Sequence, residues 1–128
     1  MTPRDLRSFL WDVDHACDLL IGAVRGKSIE EYAGDEMLRL GVERAFEILA
    51  EAINNILKMK PGLAERITHA PRIISFRNRI THEYWGMVTQ IVWAILHDHV
   101  PPLQREVQAI VKELPPPDDR GGPSSKPA

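Results

Sequence analysis

The residues whose types and spacing could do chemistry lie in one short stretch, "SFRNRITHEYWG" at positions 75–86. It holds Arg77, directly followed by Asn78, then His82 and Tyr84 within the next two turns of a helix. An imidazole can take and give a proton near neutral pH, and a guanidinium can stabilise the charge that develops on a phosphate. Such a pair could cleave RNA without a metal, using the 2′-hydroxyl as the nucleophile.

Arg77 is unusual because a helical projection places it among apolar side chains. Each residue advances about 100° around a helix axis, so Arg77 is predicted near the middle of a core-facing sector that contains Ile73, Ile74, Phe76, Ile80 and Tyr84. Burying a guanidinium without a partner is costly. The partner could be a carboxylate from the second helix, where Glu43, Glu47 and Glu51 stand one turn apart, or a phosphate in a cleft. The two interpretations are compatible, and the pattern leaves both open.

A local basic surface accompanies this stretch. Positions 66 to 82 contain Arg66, Arg72, Arg77 and Arg79 and no acidic residue. The whole chain carries 16 basic and 18 acidic residues, so it has no overall positive charge that would attract nucleic acid. Any contact with a phosphate backbone therefore depends on this local surface.

The spacing of Arg77 and His82 raises a geometric difficulty. On a regular helix the two side chains point about 140° apart, so they do not readily converge on one phosphate. Either the helix loosens towards Gly86 or a second subunit completes the site. A two-fold homodimer, which brings two copies of the stretch together across a cleft, is the economical solution.

Composition limits the remaining classes of function. The single cysteine, Cys17, cannot form an internal disulfide and lies on an apolar helical face, where a buried, inert thiol is expected. No apolar run is long enough to span a bilayer, so we expect a soluble, cytoplasmic protein without a membrane partner. His97 and His99 would point about 160° apart on a helix, so we predict neither a metal site nor another cofactor.

Apolar residues at three- and four-residue spacing predict an all-α chain. The first helix is expected to begin with Thr2 as N-cap and Pro3 at the first helical position, and to stop at Gly26. Ser28 and Glu31 have the spacing of a capping box. Further helices are predicted at about 35–58, 71–85, 87–98 and 103–114, with "VPP" at 100–102 as a break. This order predicts an antiparallel four-helix-bundle core with an additional C-terminal helix over residues 1–114, and a disordered Pro/Gly/Ser-rich tail over 115–128.

The motif resembles the signature of the HEPN superfamily, and most closely that of its HepT-like toxins. The resemblance rests on Arg77 with Asn78 after it, four residues between Arg77 and His82, and Tyr84 one residue beyond His82. It extends to "RDLRSFLWDVDHACDLLIG" at 4–22 and "GVERAFEILAEAINNI" at 41–56, which look like the first two helices of that family. In all it covers roughly residues 4 to 114.

The resemblance implies a toxin of a prokaryotic toxin–antitoxin pair that acts as a metal-independent endoribonuclease. It implies a homodimer with the active site at the dimer cleft, in which Arg77 and His82 are catalytic and Asn78 is a supporting polar residue. The implied partners are an RNA substrate and a small nucleotidyltransferase-like antitoxin, which in some members is thought to transfer AMP to the motif tyrosine, here Tyr84. The alternative is a non-catalytic, dimeric helical module that binds a nucleotide or a protein through Arg77 and His82.

Overall fold

The computed structural model describes residues 4–80 and 85–116, and the side chains within these ranges except those of residue 80 and residues 85–88. The chain folds into helices in the order α1 (Leu6–Val24), α2 (Ile29–Ala33), α3 (Glu36–Met59), a 3₁₀ helix (Pro61–Glu65), α4 (Ala70–Ile80), α5 (Trp85–Asp98) and α6 (Val100–Glu113). No strand occurs in the described ranges. The predicted all-α class is therefore confirmed.

The N-terminal cap of α1 lies later in the chain than predicted. Asp5 is the N-cap residue, and its side chain accepts a hydrogen bond from the backbone N–H of Ser8 at 2.8 Å. A carboxylate at this position satisfies an otherwise unpaired amide and favours the positive end of the helix dipole. The prediction of Thr2 as N-cap was wrong by about one turn, because Asp5 supplies a capping oxygen directly before the first helical residue.

The end of α1 and the start of α2 follow the sequence closely. Gly26 has φ +74°, a left-handed conformation that glycine adopts without steric cost, and α1 ends two residues before it. Ser28 and Glu31 then form the predicted capping box, in which each side chain accepts a hydrogen bond from the other's backbone N–H.

The "VPP" segment begins α6 instead of separating it from α5. His99 is the N-cap residue of α6, and Pro101 and Pro102 occupy its first turn. Proline is tolerated there because the amide it lacks would have had no intrahelical partner. The predicted start at Leu103 was therefore three residues late.

Helix α1 packs against both α3 and α6. Its contacts with the α6 region fix the relative direction of the two helices: Arg7 donates to the carbonyl of Pro115, the amide of Gln108 to Asp14, and the amide of Gln104 to Asp18. Partner numbers fall along α6 as they rise along α1, so the two helices are antiparallel. The remaining bundle arrangement stays a prediction.

Helix α4 is held against α3 by its apolar side. Ile73 and Phe76 are buried, and the ring of Phe76 meets that of Phe46 edge to face, with centroids 5.1 Å apart. This geometry suits the quadrupoles of two aromatic rings. It fixes the orientation of α4, and with it the position of Arg77.

None of the helices in the described ranges combines the length and the apolar character that crossing a bilayer would require.

Candidate functional site

Arg77 lies at the edge of the apolar side of α4. Its chain neighbour Phe76 is buried in the core, whereas Arg77 itself is only partly buried, between Phe76 and the exposed Asn78. A long side chain can bury its aliphatic stem in this way while its charged end stays near the surface. The guanidinium is therefore not sealed inside the subunit.

The hydrogen bond that Arg77 makes is to its neighbour. Its Nε donates to Oδ1 of Asn78 at 3.0 Å. None of the ion pairs among the described residues involves Arg77, and Glu47, one of the predicted carboxylate partners, pairs with Arg44 at 3.2 Å instead. The predicted structural partner of Arg77 is thus absent from the described residues, and the terminal amino groups of the guanidinium have no carboxylate there.

His82 and Tyr84, the other two residues of the predicted site, lie outside the described residues. The structure brings Arg77 and Asn78 together and does not test the position of the other two. Their roles stay predictions.

The arginines of the basic surface predicted from the sequence have different surroundings in the structure. Arg66 forms a two-pronged ion pair with Glu113 of α6, with nitrogen–oxygen distances of 2.8 and 2.6 Å. This contact raises the pKa of Arg66 and lowers the pKa of Glu113. Arg72 and Arg79 are exposed on α4. The charge of Arg66 is therefore already matched by Glu113.

A pair of histidines that sequence analysis did not connect lies at the start of α4. Nδ1 of His69, the residue before α4, is 2.9 Å from Nδ1 of His99, the N-cap of α6. One ring must donate and the other accept, so the contact requires at least one of the two to be neutral. Burial lowers the pKa of His99 first of all, and the charges of His69 and Arg72 lower it further, while Asp98 opposes them.

A carboxylate from α6 binds the residues directly before α4, next to the histidine pair. Glu106 accepts hydrogen bonds from the backbone N–H and the hydroxyl of Thr68, at 3.2 and 2.5 Å, and a longer one from the N–H of His69 at 3.4 Å. It thereby satisfies amides at the N-terminus of α4, where no intrahelical acceptor exists. No spacing rule connects residues 68 and 106, so sequence analysis had no signal for it.

Two other candidates have no site geometry. Cys17 is fully buried, and its pKa is raised by that burial and by Asp14 and Asp18, so it is an inert thiol as predicted. In the ranges 4–80 and 85–116, no three or more His, Cys, Asp or Glu side chains gather where they could hold a metal ion.

Comparison with known proteins places the chain in a family. Residues 13–110 match the family described as Ribonuclease HepT-like. This match covers α1 from its second turn to most of α6 and includes the whole 75–86 stretch. No solved structure matches the chain.

Individual relatives point the same way. "Putative RNase MJ1216" of Methanocaldococcus jannaschii is 26% identical over 116 residues, which is 89% of this chain and 93% of the relative. "Putative RNase TTE0752" of Caldanaerobacter subterraneus is 29% identical over 109 residues, covering 84% of this chain and 95% of the relative. "Probable ribonuclease HepT" of Thermococcus cleftensis is 24% identical over 113 residues, covering 85% and 98%.

This chain is helical and matches the family over most of its length, so it is a ribonuclease of the HEPN superfamily. The protein belongs to the HepT-like ribonuclease family. The resemblance stated from the 75–86 motif is thereby confirmed, and so is the prediction of an RNA-cleaving enzyme.

Proposed function

We propose that the protein is the toxin of a prokaryotic toxin–antitoxin pair and cleaves RNA without a metal ion. The observation that carries this proposal is the environment of Arg77. It is a partly buried cation on the apolar side of α4, held at Nε by Asn78 and without a carboxylate among the described residues. A planar guanidinium in such a place is suited to an external anion, and the phosphate of an RNA strand fits its fork.

In the proposed reaction His82 accepts the proton of a ribose 2′-hydroxyl. The resulting oxygen attacks the adjacent phosphorus, the bond from phosphorus to the 5′-oxygen breaks, and that oxygen takes a proton from the imidazolium. Arg77 stabilises the negative charge that accumulates on the phosphoryl oxygens. The products are a 2′,3′-cyclic phosphate and a 5′-hydroxyl, and no atom of a metal or cofactor takes part.

The same proposal includes a homodimer. Arg77 and His82 are five positions apart, and a regular helix would direct them about 140° apart. A two-fold axis next to the stretch places Arg77 of one subunit opposite His82 of the other. The active site is then composite and lies at the cleft between subunits.

A nucleotidyltransferase-like antitoxin is the proposed inhibitory partner, acting by transfer of AMP from ATP to the hydroxyl oxygen of Tyr84, with release of pyrophosphate and of the hydroxyl proton. The added phosphate would lie close to Arg77 and occupy the position of the substrate phosphate, because both carry the same charge and fit the same fork. Intact mass measured after co-expression with such a transferase should increase by one AMP. The Tyr84→Phe variant should keep its mass, and an unshifted mass for the unsubstituted protein would argue against this step.

The ribonuclease proposal is tested with purified protein, RNA and EDTA. We expect cleavage in the presence of EDTA, with cyclic-phosphate ends on the products. Cleavage that requires an added divalent ion would contradict the metal-independent mechanism. RNA bound but left intact would favour the alternative of a binding module.

A further inference from the structure

An apolar groove lies open between α1 and α3. It has a volume of about 270 Å³, and every residue that lines it is apolar or glycine, including Leu19 and Ala23 of α1 and Met37 and Gly41 of α3. Leu19 and Met37 are 51% and 77% exposed, and Leu40, the chain neighbour of Gly41, is 48% exposed. Large apolar side chains that gather at an open groove mark a contact surface. The groove is therefore suited to a partner.

The described chain contains no steric reason for the helical glycines on this face. Gly22 of α1 and Gly41 of α3 are both exposed, and a Cβ at either position would meet no atom of the rest of the described chain within 4 Å. Glycine weakens a helix interior relative to alanine, but it lets another backbone approach closely. A helix from outside the subunit that packs closely on this face would account for both.

The exposed ridge of α3 beside the groove is self-complementary. Glu36, Leu40 and Arg44 are four residues apart, so each is turned only about 40° from the one before, and all three are exposed. The ridge thus carries a negative charge, an apolar side chain and a positive charge in that order. A two-fold axis at Leu40 that pairs α3 with its copy in opposite directions places Glu36 of each subunit opposite Arg44 of the other.

The other charged side chains of this part of α3 do not oppose that pairing. Arg39 donates to the last carbonyl of α2, and the charges of Arg39 and Glu43 both act on the buried phenol of Tyr32 in α2. Glu47 binds Arg44 at 3.2 Å, but the Arg44 side chain is still 69% exposed. A guanidinium has five donors, so Arg44 can bind a second carboxylate.

Met37 fits the same arrangement. An antiparallel two-fold brings the groove side of one α3 against the groove side of the other. Met37 lies three residues before Leu40, so the axis places it at the level between Gly41 and Ala45 of the other copy, both of which line the groove. A flexible methionine side chain fills irregular apolar gaps well. The projecting side chain and the groove that receives it therefore lie on one patch, as a contact between identical subunits requires.

We propose that this face, formed by the α1–α3 groove and the ridge at 36–44, binds a second copy of the chain through an antiparallel contact between the two α3 helices. Gly41 and Phe46, whose ring meets α4, point about 140° apart around α3, so the groove faces away from α4. The contact is therefore additional to the two-fold proposed at the cleft near Arg77. A chain that carries both contacts assembles into at least a tetramer.

The test is the mass of the assembly in solution, measured by sedimentation velocity and light scattering at micromolar concentrations. Gly41→Gln places a long side chain where the two copies approach, yet the subunit has room for it and glutamine favours a helix. We expect the mass to halve, with a Kd for association raised roughly tenfold or more, and the helical circular dichroism to be kept. Ala109→Gln, on the exposed side of α6, is the matched control and should keep the mass.

Charge reversal tests the direction of the contact. Glu36→Arg alone and Arg44→Glu alone each place like charges opposite one another, so each should also halve the mass. The double variant carries opposite charges again in the reverse order, and it should recover the mass of the unsubstituted protein. Failure of the double variant to recover it would overturn the antiparallel pairing.

An unsubstituted protein that is monomeric, or a mass that Gly41→Gln leaves unchanged, would overturn the proposal and leave the groove to a partner other than a second copy. These results are distinct from failure of the ribonuclease proposal, which is read from RNA cleavage. If Gly41→Gln halves the mass while neither it nor the unsubstituted protein cleaves RNA, the contact stands and the nuclease is wrong. If the halved Gly41→Gln assembly alone loses cleavage, the contact is not separate from the composite site, and that part of the proposal is wrong.

Discussion

The Nε of Arg77 donates a hydrogen bond to Oδ1 of Asn78, the next residue of α4, over 3.0 Å. The bond uses the one guanidinium nitrogen that lies within the side chain and leaves the two terminal amino groups for another acceptor. We therefore propose that Asn78 supports the site by orienting Arg77.

Replacement of Asn78 by alanine should lower kcat for RNA cleavage while the fold is kept. A net hydrogen bond contributes about 1 kcal/mol, so we expect a decrease of roughly five- to tenfold. Steady-state kinetics should show the loss mainly in kcat, because the phosphate contact is retained but misaligned. Asn55→Ala, the same substitution on α3 where Asn55 donates to the carbonyl of Glu51, serves as the control and should cleave normally. A kcat unchanged by Asn78→Ala would remove its positioning role.

A composite site predicts complementation between inactive subunits. A heterodimer of one Arg77→Ala subunit and one His82→Ala subunit contains one intact site if Arg77 and His82 come from different subunits. Separately tagged subunits can be co-expressed, and the heterodimer isolated by two affinity steps. We expect it to cleave RNA at about half the rate of the unsubstituted dimer, whereas each parent homodimer is inactive. An inactive heterodimer would show that each site draws both residues from one chain.

The His69–His99 contact predicts a pH dependence of stability. The pKa of His99 is lowered in the folded state, so this ring stays neutral in the fold at pH values where the unfolded chain binds a proton. Its contribution to stability is present above the unfolded pKa of about 6.5 and is lost as pH falls through that value towards the folded pKa. The groups that face the pair are Arg72 from α4, Asp98 from α5 and Glu106 from α6.

This dependence can be measured by urea unfolding between about pH 7 and 5. The free energy of unfolding should fall with pH, and His99→Asn should flatten the profile because the titrating ring is removed. His15→Asn is the control, since His15 is exposed on α1 and stacked on Trp11, away from the pair. An equally steep profile for His99→Asn would show that the pair does not cause it.

Glu106 should contribute more to stability than Glu113. Glu106→Ala removes the acceptor for Thr68 and His69 at the N-terminus of α4, and the loss of such a cap costs about 1–2 kcal/mol. Glu113→Ala breaks an exposed ion pair with Arg66, and exposed pairs contribute little. Denaturant unfolding should therefore show a clearly larger decrease in the free energy of unfolding for Glu106→Ala than for Glu113→Ala. A similar change in both would contradict the capping role of Glu106.

The helices could be predicted from the sequence where apolar spacing or contacts between near neighbours determine them. The spacing of apolar residues defines α1 and α3, and Ser28 with Glu31 marks the start of α2 through contacts between near neighbours. The start of α6 was misplaced because Pro101 and Pro102 can either end a helix or begin one, and only the N-cap at His99 decides between them. Sequence rules were sufficient where contacts between near neighbours determine the helix boundary.

The surroundings of the candidate site depend on contacts between distant parts of the chain. His69 meets His99 and Arg66 meets Glu113 across 30 and 47 positions. No residue pattern encodes those distances, so sequence analysis counted Arg66 with the other arginines of the basic surface. Helical periodicity predicted Arg77 near the middle of the apolar sector of α4, whereas the structure places it at the edge, partly buried beside the exposed Asn78.

The central claim, that His82 and Arg77 carry RNA cleavage, is tested most directly by the single-turnover rate constant of His82→Ala. General acid–base catalysis by one side chain contributes about 10²- to 10⁴-fold, so we predict that the rate constant falls by a factor of that size. Binding of a 2′-O-methyl oligoribonucleotide, which lacks the 2′-hydroxyl nucleophile and stays intact, should be unchanged, and so should the helical circular dichroism. A rate constant within a few-fold of the unsubstituted protein would contradict the claim.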